Sequence, residues 1–74
     1  MRVRVRLIGQ FMERFGFSEK ELEIASPCTP ADLAARLGME GLPKIVTREG
    51  QALRSGDSIE DGDRLVIAPI FSGG

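Results

Sequence analysis

Histidine is absent from this 74-residue sequence, and Cys28 is its single cysteine. A lone cysteine cannot form a disulfide within the chain, and without histidine there is no residue spacing typical of a zinc site. The sequence therefore predicts no metal site. Separately, no cofactor is expected to bind to this chain itself.

The sequence also lacks an excess of charge and a long apolar run. Ten basic and eleven acidic residues give a net charge of −1, whereas binding driven by nucleic-acid phosphates requires an excess of positive charge. No stretch approaches the roughly 20 apolar residues of a membrane-spanning helix, and residues 1–6 alternate instead of forming a signal peptide. We therefore expect a soluble, cytoplasmic protein that binds neither nucleic acid nor membrane.

The length of the chain limits it to one domain, residues 1–74. A core of this size contributes about 3–5 kcal/mol of net stability, so a deep pocket closed to water is not expected. No acid–base pair or nucleophile constellation is visible either. The chain by itself is therefore not predicted to be an enzyme, and no catalytic residue is assigned.

Alternation of apolar and polar residues predicts most of the strands. In residues 2–8 the apolar Val3, Val5 and Leu7 point to one side and the arginines to the other. A second strand at 20–25 should pair antiparallel with the first, with Leu22 and Ile24 inward. Further extended segments are predicted at residues 44–48, 52–53 and 64–68, the last of them following an Asp61-Gly-Asp turn.

Two helices are predicted from capping residues and apolar spacing. Phe11 and Phe15 lie four residues apart before Gly16, which favours a short helical segment over residues 10–16. Thr29 and Pro30 form a start signal for a second helix, because threonine caps amide groups and proline suits the first helical position. The apolar stripe of this second helix is Leu33, Ala34 and Leu37, and its stop is Gly38.

The resulting order, ββαβ(β)β, predicts an α+β fold with one mixed sheet and one main helix packed across one face. The opposite face would then meet water or a partner. Its candidate partner-facing residues combine apolar side chains with basic ones, which suits a protein interface: Val66, Ala68, Ile70, Arg4 and Arg6. The alternative is a partly exposed sheet surface of no special role, with the arginines simply solvated.

Residues 60–74, Glu-Asp-Gly-Asp-Arg-Leu-Val-Ile-Ala-Pro-Ile-Phe-Ser-Gly-Gly, carry a resemblance to a known family. Together with the order of elements, they resemble the ubiquitin-like β-grasp sulfur carriers of the MoaD/ThiS family. The helical segment at 10–16 and the ending from Ala68 resemble the branch that forms the small subunit of molybdopterin synthase. Ile70 stands where that branch has a second proline, and Phe71 is bulkier than its usual residue.

The resemblance implies that the reactive group is the α-carboxylate of Gly74. A ubiquitin-activating-type adenylyltransferase, similar to MoeB or ThiF, would adenylate it with ATP, and a sulfur donor would convert it to a thiocarboxylate. The branch that it resembles implies that the thiocarboxylate donates sulfur in the biosynthesis of molybdopterin, for the molybdenum or tungsten cofactor. A larger catalytic subunit or another sulfur-accepting enzyme would be the second partner, with this chain as the small subunit of the sulfurtransferase.

The family resemblance also implies a role for the end of the chain. Residues 69–74 would form a flexible tail that inserts Phe71, Ser72 and Gly73 into the active site of a partner, with Pro69 ending the strand. Glycine has no Cβ, so the Gly-Gly end is slim enough to thread a narrow channel. Alternatively, Gly73-Gly74 is an end without function, and Ile70 and Phe71 fill the core.

Other functions remain open at the level of the sequence. The chain could be a thiamine or other sulfur-transfer carrier, a ubiquitin-like protein modifier that acylates lysines, or a non-covalent β-grasp interaction module. Cys28 could trap the activated C-terminus or carry a persulfide, since it precedes a helix start that would lower its pKa. It could equally be a small buried filler.

Overall fold

A computed structural model describes residues 1–70, and its strands and helices follow the predicted order. The helices are α1 (Gln10–Phe15) and α2 (Pro30–Leu37). The strands are β1 (Arg2–Leu7), β2 (Glu19–Glu23), β3 (Lys44–Arg48), β4 (Gln51–Leu53) and β5 (Arg64–Pro69). Every predicted element is thus present, and the predicted α+β fold is confirmed.

The strands form one mixed sheet in the order β2-β1-β5-β3-β4. The first and last strands lie side by side at its centre and are parallel, while the other neighbouring pairs are antiparallel. The antiparallel pairing of the first two strands was predicted. Because β1 and β5 are central, the chain leaves the sheet from a strand that has neighbours on both sides.

The hydrophobic core lies between α2 and one face of the sheet. The predicted alternation of β1 is confirmed: Val3, Val5 and Leu7 are at most 1% exposed, and the arginines between them are exposed. The core cluster also takes residues from α2, from β5 and from the loops, namely Leu33, Ala34, Leu65, Ile67, Met39 and Ile59. Burial of these side chains is the main favourable term that holds α2 on the sheet.

The predicted ends of the helices are present in the structure. The Thr29 hydroxyl accepts from the Asp32 amide at 3.2 Å, and the Asp32 carboxylate accepts from the Thr29 amide at 3.1 Å. This reciprocal pair satisfies two amide groups that a helix start leaves without partners. Gly16 and Gly38 end the two helices in the left-handed conformation, which glycine adopts without steric cost.

Two predicted strand ends differ from the structure. Ile24 is buried but lies just beyond the end of β2. The last strand, β5, runs one residue beyond the predicted 64–68 and ends at Pro69, as predicted; Pro69 pairs with Lys44, and the Ile70 amide still donates to the Pro43 carbonyl at 3.3 Å. Proline removes only its own N–H group, so the next residue can still donate.

Within residues 1–70, neither helix has the length and apolar composition needed to cross a membrane.

Candidate partner-binding face and chain exit

The side of the sheet opposite α2, called here the open face, carries charges of both signs on β1 and β2. In the antiparallel register Arg2, Arg4 and Arg6 lie opposite Glu23, Glu21 and Glu19. The ion pairs run diagonally between the two strands, each to the glutamate two residues before the register partner. Arg4 Nη1 lies 3.3 Å from Glu19 Oε2, and Arg2 Nε lies 3.6 Å from Glu21 Oε1. Such exposed pairs contribute little to stability, but they cancel charge locally.

The arginine row is therefore less basic than its own sequence predicts. The glutamates of β2, which alternate in Glu-Lys-Glu-Leu-Glu, were not among the predicted residues of this face. Combining that alternation with the predicted antiparallel pairing would have identified them, since cross-strand neighbours of opposite charge attract. Arg64 on β5, which lies beside Arg4, adds a further positive charge to this face.

An apolar row crosses the open face next to these charges. It consists of Ile8, Ala68 and Ile45: Ile45 is the register partner of Ala68, and Ile8 follows β1 and donates its amide to Ile67 at 3.1 Å. Ile8 is 44% exposed and Ile45 39% exposed, which is high for large apolar side chains.

The predicted residues Val66, Arg4 and Arg6 border a shared depression of about 270 Å³ on this face. Val66 and Ala68 are half-buried, and Val66 lies between Arg6 and Thr47 in the ladder. The structure thus brings four of the predicted residues onto one face. Ile8 and Ile45 were not predicted to lie on this face. Ile8 alternates in phase with the arginines of β1, and Ile45 alternates in phase with Thr47 of β3, so the predicted strands would have placed both residues here.

Ile70 lies elsewhere. It is 51% exposed and borders a depression on the helix side of the sheet, called here the helix-side groove, of about 420 Å³. The groove is lined mainly by apolar side chains of α2, β3, β4 and the loop between α2 and β3, among them Pro30, Ala34, Leu42, Val46 and Leu53. Because the chain pairs with Pro43 after β5, it leaves the sheet beside this groove. With half its surface exposed, Ile70 does not fill the core.

The predicted turn before β5 is held by side-chain hydrogen bonds. Asp63 Oδ2 accepts from the Glu60 amide at 2.8 Å and from Arg48 Nη1 at 2.9 Å, and this bond raises the pKa of the Arg48 guanidinium. Gly62 has a positive φ of 86° and donates to the Arg2 carbonyl at 2.8 Å. These contacts tie the turn to β1 and β3, so its side chains serve the structure of the fold.

Cys28 is 7% exposed and belongs to the core cluster. Its Sγ donates to the Thr29 carbonyl at 3.5 Å. Burial raises the pKa of the thiol, and the charge of Asp32 raises it further, while Arg36 acts in the opposite direction. The helix start thus does not make this cysteine a thiolate at neutral pH, and its surroundings are those of a buried filler.

The remaining predicted site residues, Phe71, Ser72, Gly73 and Gly74, lie outside the described residues. So does most of the predicted tail.

The mixed five-stranded sheet with α2 across one face is the ubiquitin-like β-grasp fold, as the resemblance implied. Solved structures share it. SAMP1 from Haloferax volcanii matches with a TM-score of 0.79 at 22% identity, over 100% of both chains. A Pyrococcus furiosus protein provisionally described as molybdopterin converting factor, subunit 1, matches with a TM-score of 0.82 at 17% identity. The match covers 93% of this chain and 97% of that chain.

A third similar structure is the Caldiarchaeum subterraneum ubiquitin, with a TM-score of 0.67 at 26% identity over 100% of this chain and 98% of that chain. No family model matches the sequence. No curated protein matches it either. The similar structures are thus small ubiquitin-like proteins of about the same length as this chain.

Proposed function

We propose that this chain is a sulfur carrier of the MoaD type, whose Gly74 carboxylate is activated and converted to a thiocarboxylate for molybdopterin biosynthesis. The observation that carries the proposal is the agreement over nearly the whole chain with the Pyrococcus furiosus protein described as a molybdopterin converting factor subunit. The Gly73-Gly74 ending supports it, because it follows a β-grasp strand by a few residues.

The proposed chemistry needs one group from this chain. An oxygen of the Gly74 carboxylate attacks the α-phosphorus of ATP in the adenylyltransferase, and pyrophosphate leaves. A sulfide equivalent from a sulfur donor then attacks the acyl carbon, the bond to AMP breaks, and the thiocarboxylate remains. Its sulfur is the nucleophile delivered to the acceptor. The chain is therefore a cosubstrate, and the partners supply the catalytic groups.

The length of the segment beyond Ile70 fits delivery into a partner. Four extended residues span at most about 13–14 Å at 3.3–3.6 Å each. Phe71 and Ser72 would line the entrance of the partner's channel, and Gly73 would pass its narrowest part because it has no Cβ. In this proposal β5, which pairs with β1 and β3, fixes the point from which the C-terminal segment extends into the partner.

The open face is the surface that we propose for the partners. Its apolar row, with Val66 beside it, provides the desolvated centre of an interface, and Arg4, Arg6 and the glutamates of β2 form a charged rim. Charges of both signs favour a partner with a matching pattern over one that is uniformly acidic. The first partner would be a MoeB/ThiF-like adenylyltransferase, and the second the larger subunit or another sulfur-accepting enzyme.

Intact-mass spectrometry tests the proposal. The chain is co-expressed with the adenylyltransferase and the sulfur source of its host, and the product should show exchange of one oxygen for sulfur at Gly74. A chain ending at Ser72 is the control, since it keeps the described domain and lacks the reactive glycines. If the full chain never gains sulfur under these conditions, the carrier function is wrong.

A protein modifier is the second candidate, favoured by the match to SAMP1, which is described as a small archaeal modifier protein. The same activated carboxylate would then acylate a lysine of another protein. Trypsin cleaves after Arg64 and would leave residues 65–74 on that lysine, whereas chymotrypsin would cleave after Phe71 and leave residues 72–74. Finding both remnants on the same lysine would establish conjugation.

Activity in vivo separates the remaining alternatives. If a chain ending at Ser72 retains full activity, the protein is a non-covalent interaction module. If the thiocarboxylate forms but a deletion strain needs thiamine instead of the molybdenum cofactor, the acceptor belongs to the thiamine pathway.

A further inference from the structure

The helix-side groove is an apolar depression at the point where the described chain ends. Its walls come from the first turns of α2 on one side and from β3 and β4 on the other, and Ile70 forms part of its border. Ala34 and Val46 are buried, and Leu42 and Leu53 are half-buried beside them. An apolar side chain placed here would be shielded from water by both layers of the fold.

The next residue along the chain after Ile70 is Phe71. Consecutive Cα atoms are about 3.8 Å apart, so the ring reaches the groove without the rest of the terminus. The side chains of β5 alternate, with Leu65 and Ile67 in the core on the α2 side. That alternation would place Ile70 on the open face, but Ile70 borders the groove, so the alternation ends at Pro69 and the chain already lies beside the groove at Ile70.

The charges around the groove are compatible with an acidic chain end. Lys44 lines it, and its Nζ donates to the Met39 and Leu42 carbonyls at 3.0 Å each. An ammonium group has three donors, so these two bonds leave one. Gly74 is within reach of this region, since three residues beyond Phe71 span about 10–11 Å. Glu40 also lines the groove and offsets part of this attraction.

We propose that the aromatic ring of Phe71 binds in the helix-side groove of its own chain. In the free protein the C-terminal segment then lies along α2 and the loop before β3. A partner must withdraw Phe71 before it can admit Gly74, so only the undocked fraction of the protein is ready for activation. The docking itself does not depend on the proposed function, but this regulatory consequence does.

Methyl NMR on the isolated full-length chain tests the docking. A bound ring should give nuclear Overhauser effects from Phe71 to methyl groups of Ala34, Val46 and Leu53, and should shift these resonances by its ring current. Phe71→Leu should abolish the ring-current shifts and leave the core methyls of Leu7 and Ile67 unchanged. Phe17→Leu is the matched control, since Phe17 is half-buried and does not line the groove.

A second variant changes the groove instead of the ring. Ala31 is exposed, lines the groove and lies in the first turn of α2, where an acidic side chain suits the helix dipole. Ala31→Glu should therefore fold normally and lose the Phe71 contacts. Absence of the contacts in the unmodified chain overturns the proposal, and so do contacts that weaken on dilution, because these come from a second copy. The measurement uses no activating enzyme, so failure of thiocarboxylate formation would not affect it.

Discussion

At the scale of the residue, the surroundings of Cys28 decide the chemistry of its thiol. The position before a helix start favours a thiolate, whereas burial and the nearby Asp32 favour the neutral form. Burial has the larger effect, so the pKa of the thiol lies above its ordinary value of 9.0. A thiol that stays protonated at neutral pH is a poor nucleophile, and this argues against a direct role of Cys28 in sulfur transfer.

The raised pKa of Cys28 predicts a loss of stability in alkaline solution. Above pH 9.0 the unfolded chain loses the thiol proton while the folded chain still holds it, so the free energy of unfolding falls as pH rises. Urea unfolding between neutral pH and pH about 10 should therefore show a shallower decline for Cys28→Ala than for the unmodified chain. All other side chains are identical in the two proteins, so the difference in slope comes from position 28. Equal slopes would show that the thiol has the same pKa in both states.

At the scale of the element, the start of α2 supports both the core and the helix-side groove. The capping box of Thr29 and Asp32 holds the first turn. Pro30 and Ala31 in that turn line the groove, and the Ala31 amide donates to the Ser55 carbonyl at 3.3 Å. A change at the cap should therefore affect stability and the groove wall together.

Thr29→Ala should lower the free energy of unfolding by about 1 kcal/mol, because the Asp32 amide loses its acceptor. Urea denaturation followed by circular dichroism measures the change, with an unchanged slope if the unfolded state is unaffected. Thr29→Ser is the matched variant and should keep most of the stability, since its hydroxyl can make the same bond. If the alanine and serine variants are equally stable, the capping bond contributes nothing.

At the scale of the whole molecule, the two faces of the sheet have different neighbours. Helix α2 covers one face, and the open face carries an apolar row beside a charged ladder. Ile45 is the most direct probe of that row, because its side chain is 39% exposed and is not part of the buried core. Replacing it should change binding to a partner more than it changes folding.

Under the proposed function, Ile45→Glu should slow thiocarboxylate formation about tenfold or more, which corresponds to about 1.4 kcal/mol of binding free energy. The reason is that a charge buried at the centre of an interface has no partner. Ala35→Glu, on the exposed side of α2, adds the same charge away from the open face and should leave the rate unchanged. Equal rates for the two variants and the unmodified chain, with equal urea midpoints, would exclude the open face as the binding surface.

Much of the described fold could be predicted because it depends on residues that are close in the sequence. The alternation in β1 requires only that one face be buried, and the boundaries of α2 require only the capping residues at its ends. The face shared by Val66, Ala68, Arg4 and Arg6 follows from the same alternation. The paired glutamates required one further step, the register between two neighbouring strands.

The sequence by itself determined the types of the elements, their order and the buried side of β1, because periodicity and capping act over a few residues. Only the tertiary structure decided the parallel pairing of β1 with β5, the placement of Ile70 beside the helix-side groove and the burial of Cys28. Each of these depends on contacts between segments far apart in the chain, whose register and packing follow from how the whole core closes.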